Sequence, residues 1–239
     1  MLVVGTGPGD PGHMTARARQ ALEEADVVLG YGTYLGLIKG MTGHAEVLPY
    51  AMGEEMARAR DALVLAGAGR SVVVASGGDP GVYGMAGPVL EALPGYEGIQ
   101  VEVVPGVTAA VAAAAALGAP LSADFAIVSL SDILVPWDII ERRLRAVATG
   151  DMVAVLYNPR SHGRRDHLRR ALDILKSHRS PTTPVGLVKN AGRPGQTVTL
   201  ADLGGFDPEL ADMSSTVIVG NSYTFIRGDF MVTPRGYAP

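Results

Sequence analysis

Four short segments concentrate the residue types that do chemistry: GTGPGDPGH (5–13), ASGGDPGVYGMAG (75–87), PGVTAA (105–110) and YNPRSHGRR (157–165). Each follows or closes a β-rich run, namely LVV (2–4), SVVVA (71–75), VEVV (101–104) and MVAVL (152–156). Glycine at a strand end leaves the main chain bare, so its N–H and C=O groups can approach a ligand that a side chain would hold off. In open α/β sheets ligands bind where such loops gather, at the carboxyl ends of the strands. Asp10, Asp79, Tyr83 and Tyr157 stand among the glycines as polar groups, and Arg160, Arg164 and Arg165 crowd the fourth segment. Turn chemistry is the ordinary reading of any single loop of this kind. Four in equivalent settings argue for a shared site.

The elements that must hold these loops are legible as alternating runs. Strands are predicted over 2–4, 27–30, 71–75 and 101–104, and helices over 15–25, 53–69, 85–93 and 107–118, with Thr15 as an N-cap and Gly118 as a helix stop. Strands alternating with helices predict βαβ crossovers and a largely parallel sheet. Residues 118–132 read as a boundary between domains of 1–118 and 119–239. Beyond it, helices are predicted over 136–148 and 162–178. Strands are predicted over 152–157, 184–189, 197–200, 215–220 and 230–234, with more antiparallel character. The fold class expected is therefore α/β, with a mostly parallel N-terminal sheet and a mixed C-terminal one.

Composition removes several chemistries. The 239 residues include no cysteine, which excludes disulfides, thiolate metal sites, Cys-ligated iron–sulfur clusters and Cys nucleophiles. The five histidines form no HExxH or other ligand spacing; His162 and His167 read as neighbours on a surface helix, and no metal is expected. A net charge of −4 without a basic block interleaved with aromatics argues against nucleic acid. The longest apolar run, Ala109 to Leu117, is well short of the ~20 residues of a membrane span. Strand-like residues begin at Leu2 with no signal-peptide pattern, so a cytoplasmic setting is expected. Gly5, Gly7 and Gly9 begin a dinucleotide fingerprint but do not complete it: Asp10 follows directly, prolines flank it, and the next strand is not followed by an acidic residue. No GKS or GKT phosphate loop occurs.

Taken together, GTGPGDPGHMT, ASGGDPGVYGMAG, VVPGVTAA and AVLYNPRS resemble, in order and spacing, the signature segments of the tetrapyrrole methyltransferases. VVLGYGTYLGLI (27–38), KNAGRPGQ (189–196), STVIVGNSYT (215–224) and MVTPRGY (231–237) most resemble the members that act at C17 of a precorrin; Gly77 departs, where serine is usual. The resemblance implies two α/β domains with S-adenosylmethionine in the cleft between them, and a homodimer. It implies C-methylation at C17 of precorrin-3B or cobalt-factor III with ring contraction, in cobalamin biosynthesis. Methylation at another ring position, or of a diphthine precursor, and a non-catalytic tetrapyrrole carrier are the alternatives.

The same resemblance implies cofactor contacts at Pro8, Gly77, Gly78, Asp79, Val82, Tyr83, Thr108, Ala109, Tyr157, Asn158 and Ala191. Asp79 has helix capping, and Tyr83 core packing, as the ordinary alternative. Thr108 and Ala109 open the alanine helix, where N–H groups lack intrahelical partners. Ring contraction calls for an acid or base, for which Asp10 is the candidate, with an Asx turn or cap as its structural alternative. A substrate rich in carboxylates suits arginine, which pairs bidentately. Arg160, Arg164, Lys189 and Arg193 are the candidate substrate contacts; Arg165 and Arg235 lie nearby, Arg165 equally readable as a solvated face.

Overall fold

The computed structural model describes residues 1–237, which divide by their contacts into two compact units, one of Met1–Ala109 and one from Ala110 onward. In the first, β1 (Leu2–Gly5), β2 (Val27–Tyr31), β3 (Glu46–Tyr50), β4 (Val72–Ser76) and β5 (Glu102–Val104) form one parallel sheet in the order β3-β2-β4-β1-β5. Its helices are α1 (Ala16–Glu23), α2 (Gly32–Leu37), α3 (Glu55–Gly67) and α4 (Ala86–Ala92). Alternate strand residues point to opposite faces. Val4, Val28, Val73 and Ala75 pack with Ala18, Leu22 and Leu35 of α1 and α2. Val3, Val27, Leu29 and Val74 pack with Ala59, Ala62 and Val89 of α3 and α4. A sheet covered on both faces needs apolar residues at successive positions, which is why its strands read as unbroken valine runs.

The second unit contains α5 (Ala109–Leu117, from its second residue), β6 (Gly118–Ala119), β7 (Phe125–Ser129), α6 (Trp137–Thr149), β8 (Val153–Tyr157) and α7 (His167–Lys176). It continues with β9 (Pro184–Lys189), β10 (Thr197–Asp202), β11 (Ser215–Val219), β12 (Phe225–Arg227) and β13 (Phe230–Val232). The main sheet runs β10-β9-β11-β8-β7, antiparallel except for the β7–β8 pair, and a small sheet runs β12-β13-β6. One face packs on α6 and α7 through Ile140, Leu144, Leu168 and Leu172; the other packs on α5 through Ala110, Ala113 and Leu117. The alanine helix approaches this sheet so closely that a Cβ on Gly186 of β9 would lie 2.5 Å from a Leu117 methyl. That packing is why the contact division falls at residue 109 rather than after Gly118.

Three further expectations shift. Helix α7 starts at residue 167, not 162, because Ser161 and Arg164 exchange backbone hydrogen bonds of 3.2 and 3.1 Å across a tight turn. His162 and His167 therefore do not share a helix; His167 Nε2 lies 2.8 Å from Asp132 Oδ2. Strand β3 emerges in a stretch for which no element is predicted, and β7 within the stretch read as a boundary. The Thr15 cap is present, its side chain accepting from Ala18 N–H. No helix among the described residues is long and apolar enough to cross a membrane.

Candidate active site

In the first unit the carboxyl ends of β1, β4 and β5 are knitted by their own backbone. Thr6 N–H donates to Ser76 O at 2.9 Å, and Gly7 and Gly78 exchange hydrogen bonds of 3.1 and 2.8 Å. A Cβ added to Gly106 would sit 2.2 Å from Gly78 O, and one added to Gly5 would sit 2.7 Å from Gly106 N. Glycine at these positions is thus required by strand-to-strand approach. Gly7 and Gly78 also hold φ of +74° and +69°, which side-chain-bearing residues adopt at a cost. Asp79 clamps the assembly: Oδ1 accepts from Gly81 N at 2.8 Å and Oδ2 from Gly106 N at 3.0 Å. It does not cap α4, which begins at Ala86 without a side-chain cap.

Gly77 has a different reason for being bare. The ring of Tyr34 lies where its Cβ would be, within 2.7 Å, and Tyr34 meets Tyr31 edge-on at 5.4 Å. The departure from serine at this position is accommodated by an aromatic ring that the sequence reading left out of the site. Tyr83, with φ of +52° and 59% exposed, is not core. Pro8 is buried, Val82 is half-buried, and Thr108 and Ala109 lie beside Gly78, whose Cβ position is 3.5 Å from Thr108 Cα. Asp10 is exposed, and its Oδ1 accepts from Gly12 N at 2.7 Å to cap a 3-10 turn over Pro11–His13. The structural alternative for this carboxylate is the contact observed.

In the second unit β7, β8 and β9 run parallel to one another, so Ser129, Tyr157 and Lys189 reach one edge of the sheet. The Tyr157 hydroxyl accepts from Ala110 N–H at 2.6 Å and so satisfies one of the orphan donors in the first turn of α5. Asn158, at φ +52°, donates from Nδ2 to Ser129 Oγ at 2.9 Å. Ala191 is buried and follows Asn190, a second left-handed asparagine at φ +50°.

Of the candidate substrate contacts, two are already committed. Arg160 is ion-paired with Glu209 and donates to its carbonyl at 3.0 Å. Lys189 Nζ lies 3.2 Å from Asp212 Oδ2. Partial burial opposes the charge on Asp212, but hydrogen bonds from Ser214 and Ser215, with Lys189, outweigh it and hold the carboxyl below its usual range. Arg164 is buried at 8% exposure with its Nε unpartnered. Arg193 is half-buried and Arg235 exposed. Sequence reasoning missed Glu209 and Asp212 because carboxylates so far along the chain from Arg160 and Lys189 carry no local signal.

This geometry has counterparts among known proteins. The model of the Tetrapyrrole (Corrin/Porphyrin) Methylases matches residues 1–207. The chain is 48% identical to a probable cobalt-factor III C(17)-methyltransferase of Salmonella typhimurium, over 98% of each chain. Some other relatives are longer, the chain spanning about half of their length. Its structure is similar to the crystal structure of the methyltransferase CobJ, with a TM-score of 0.93, 40% identity and 98% of each chain covered. It is also similar to uroporphyrin-III C-methyltransferase from Thermus thermophilus complexed with S-adenosyl homocysteine, with a TM-score of 0.69, 28% identity, and 92% of this chain and 96% of that one covered. Four signature loops in order, on a parallel and then a mixed sheet, and a family model spanning most of the sequence lead to one conclusion: the chain belongs to the tetrapyrrole (corrin/porphyrin) methylases.

Proposed function

We propose that the protein is an S-adenosylmethionine-dependent C-methyltransferase that methylates C17 of precorrin-3B or cobalt-factor III, with contraction of the macrocycle, in cobalamin biosynthesis. The observation that carries this reading is the near-complete overlap with the Salmonella relative of that specificity, at 48% identity. The proposal includes a homodimer in the cytoplasm.

S-adenosylmethionine, when bound, supplies an electrophilic methyl group on a sulfonium. The knitted ends of β1, β4 and β5 suit such a group, because the Asp79 clamp fixes their loops, and the main-chain groups those loops carry, before any ligand arrives. Asp79 uses one oxygen for each backbone donor, so lone pairs remain for ligand hydroxyl or amino groups. Val82, Tyr83, Pro8, Thr108 and Ala109 complete the first unit's contribution. Tyr157, Asn158 and Ala191 are the second unit's cofactor residues.

The attacking group is a ring carbon of the substrate, so no side-chain nucleophile is required. Orientation then carries the chemistry, and holding two reactants in line can supply roughly 7–11 kcal/mol of a barrier. Ring contraction needs a proton moved, and Asp10, exposed and oriented by Gly12 N–H, is assigned that step. Calorimetry with S-adenosylhomocysteine tests the reading: micromolar binding with one site per chain is expected, and no binding at that level would remove it.

A further inference from the structure

The second unit contains an open cavity of about 420 Å³ lined by residues 160–162, 165 and 211–213. We propose that this cavity is a carboxylate subsite that receives one acidic side arm of the tetrapyrrole, with Arg165 and His162 as the groups that touch it. The inference rests on the function proposed above and moves the substrate contact away from Arg160 and Lys189.

The charges around the cavity decide the assignment. Arg160 forms part of its wall, but Glu209 already neutralises it and also pairs with Arg169 at 3.3 Å. Asp212 would repel an incoming carboxylate if it were unscreened. Instead its Oδ1 accepts from Ser214 N, Ser214 Oγ and Ser215 Oγ at 2.8, 2.6 and 2.9 Å, and Lys189 faces Oδ2. What remains is cationic: neither Arg164 nor Arg165 forms an ion pair among the described residues. Arg164 is more than nine-tenths buried, its Nε has no partner, and its Nη2 lies 3.5 Å from the sulfur of Met213, which lines the cavity. Asp132 acts on this guanidinium only at a distance and is itself bonded to His167, and a guanidinium withdrawn from water without a directly paired carboxylate is unfavourable. An anion in the adjoining cavity offsets that cost.

The geometry also favours a preformed site. His162 and Gly163 form the tip of the turn closed by the paired Ser161–Arg164 hydrogen bonds, so His162 and Arg165 flank a fixed backbone. Arg165 and His162 are exposed and line the cavity. An arginine fork matches a carboxylate bidentately, and an imidazole N–H adds a third donor. Phosphate shares this chemistry, so the test must separate a substrate arm from a free oxyanion.

Equilibrium binding of cobalt-factor III, followed by its absorbance without methyl donor, gives the readout for the full chain and its Arg165→Gln, Arg165→Lys and His162→Gln variants. Arg165→Gln should weaken the tetrapyrrole by about 10- to 100-fold, and His162→Gln by less, each with S-adenosylhomocysteine affinity unchanged. Arg165→Lys should recover part of the loss, because charge returns without the fork. Inorganic phosphate at millimolar levels should compete with cobalt-factor III in the unaltered protein and lose that competition in Arg165→Gln. Unchanged cobalt-factor III affinity in a variant that still binds S-adenosylhomocysteine would overturn the proposal, as would phosphate binding that leaves tetrapyrrole affinity untouched. Loss of S-adenosylhomocysteine binding by the unaltered protein would instead remove the function reading, and the tetrapyrrole titration would still judge the subsite.

Discussion

The strand ends of the two units solve the same geometric problem by different means. In the first, Gly5, Gly78 and Gly106 close on one another through backbone atoms, and the side chains that bridge the strand ends there, Asp79 and Thr6, bind backbone too. In the second, side chains do the joining: Tyr157 reaches Ala110, Asn158 reaches Ser129, and Lys189 reaches Asp212. A backbone cradle cannot be altered without moving strands, whereas a side-chain network can be altered residue by residue.

The contrast breaks most sharply at Gly106. Gly106→Ala places a methyl group 2.2 Å from Gly78 O, where strands rather than a flexible side chain must yield. We expect a loss of about 3 kcal/mol in denaturant unfolding, the upper end of overpacking costs, together with loss of S-adenosylhomocysteine binding. Gly163→Ala in the second unit, where no atom lies within 4 Å of the added carbon, should stay within about 0.5 kcal/mol. Equal effects at the two positions would erase the distinction.

Asn158 comes next. Asn158→Ala removes the bond to Ser129 and leaves a β-carbon in the left-handed region, costing about 1–2 kcal/mol. Asn158→Gly should return the backbone part of that cost in the same unfolding measurement. Tyr157→Phe deletes one acceptor at the start of α5 and should cost about 1 kcal/mol without altering the fold's circular dichroism.

Much of this was legible in the sequence because the signals were local. Valine runs gave the parallel sheet's strands, and glycine–proline loops marked their ends. Strand β3 escaped because Pro49 interrupts EVLPY; proline is tolerated there because β3 is an edge strand. β7 escaped because its strand-like FAIVS lies inside the stretch read as a domain boundary, and the two-residue β6 because only its pairing with β13 makes it a strand. At the site, the purpose of individual glycines was not legible. Gly106 and Gly5 face other strands and Gly77 faces Tyr34, and only spatial neighbours separate these cases from ligand approach. The commitments of Arg160 and Lys189 were hidden for the same reason.

The smallest effect concerns Asp212. Its carboxyl is held below the usual range when folded, so its contribution to stability is complete above the unfolded value near pH 4 and is lost as pH falls through the folded value. Melting temperatures of the unaltered protein and Asp212→Asn should differ modestly at neutral pH and converge in acid. A difference that persists unchanged at low pH would show that the charge is not what stabilises the Lys189–Asp212 side of the network.

The central claim is a methyl transfer directed to one carbon. Incubation of the protein with cobalt-factor III and S-adenosylmethionine labelled with ¹³C at its methyl group, followed by NMR of the product, tests it most directly. The account predicts a single new labelled methyl at C17 of a contracted macrocycle. Label at another ring carbon, or none in the tetrapyrrole, would contradict it.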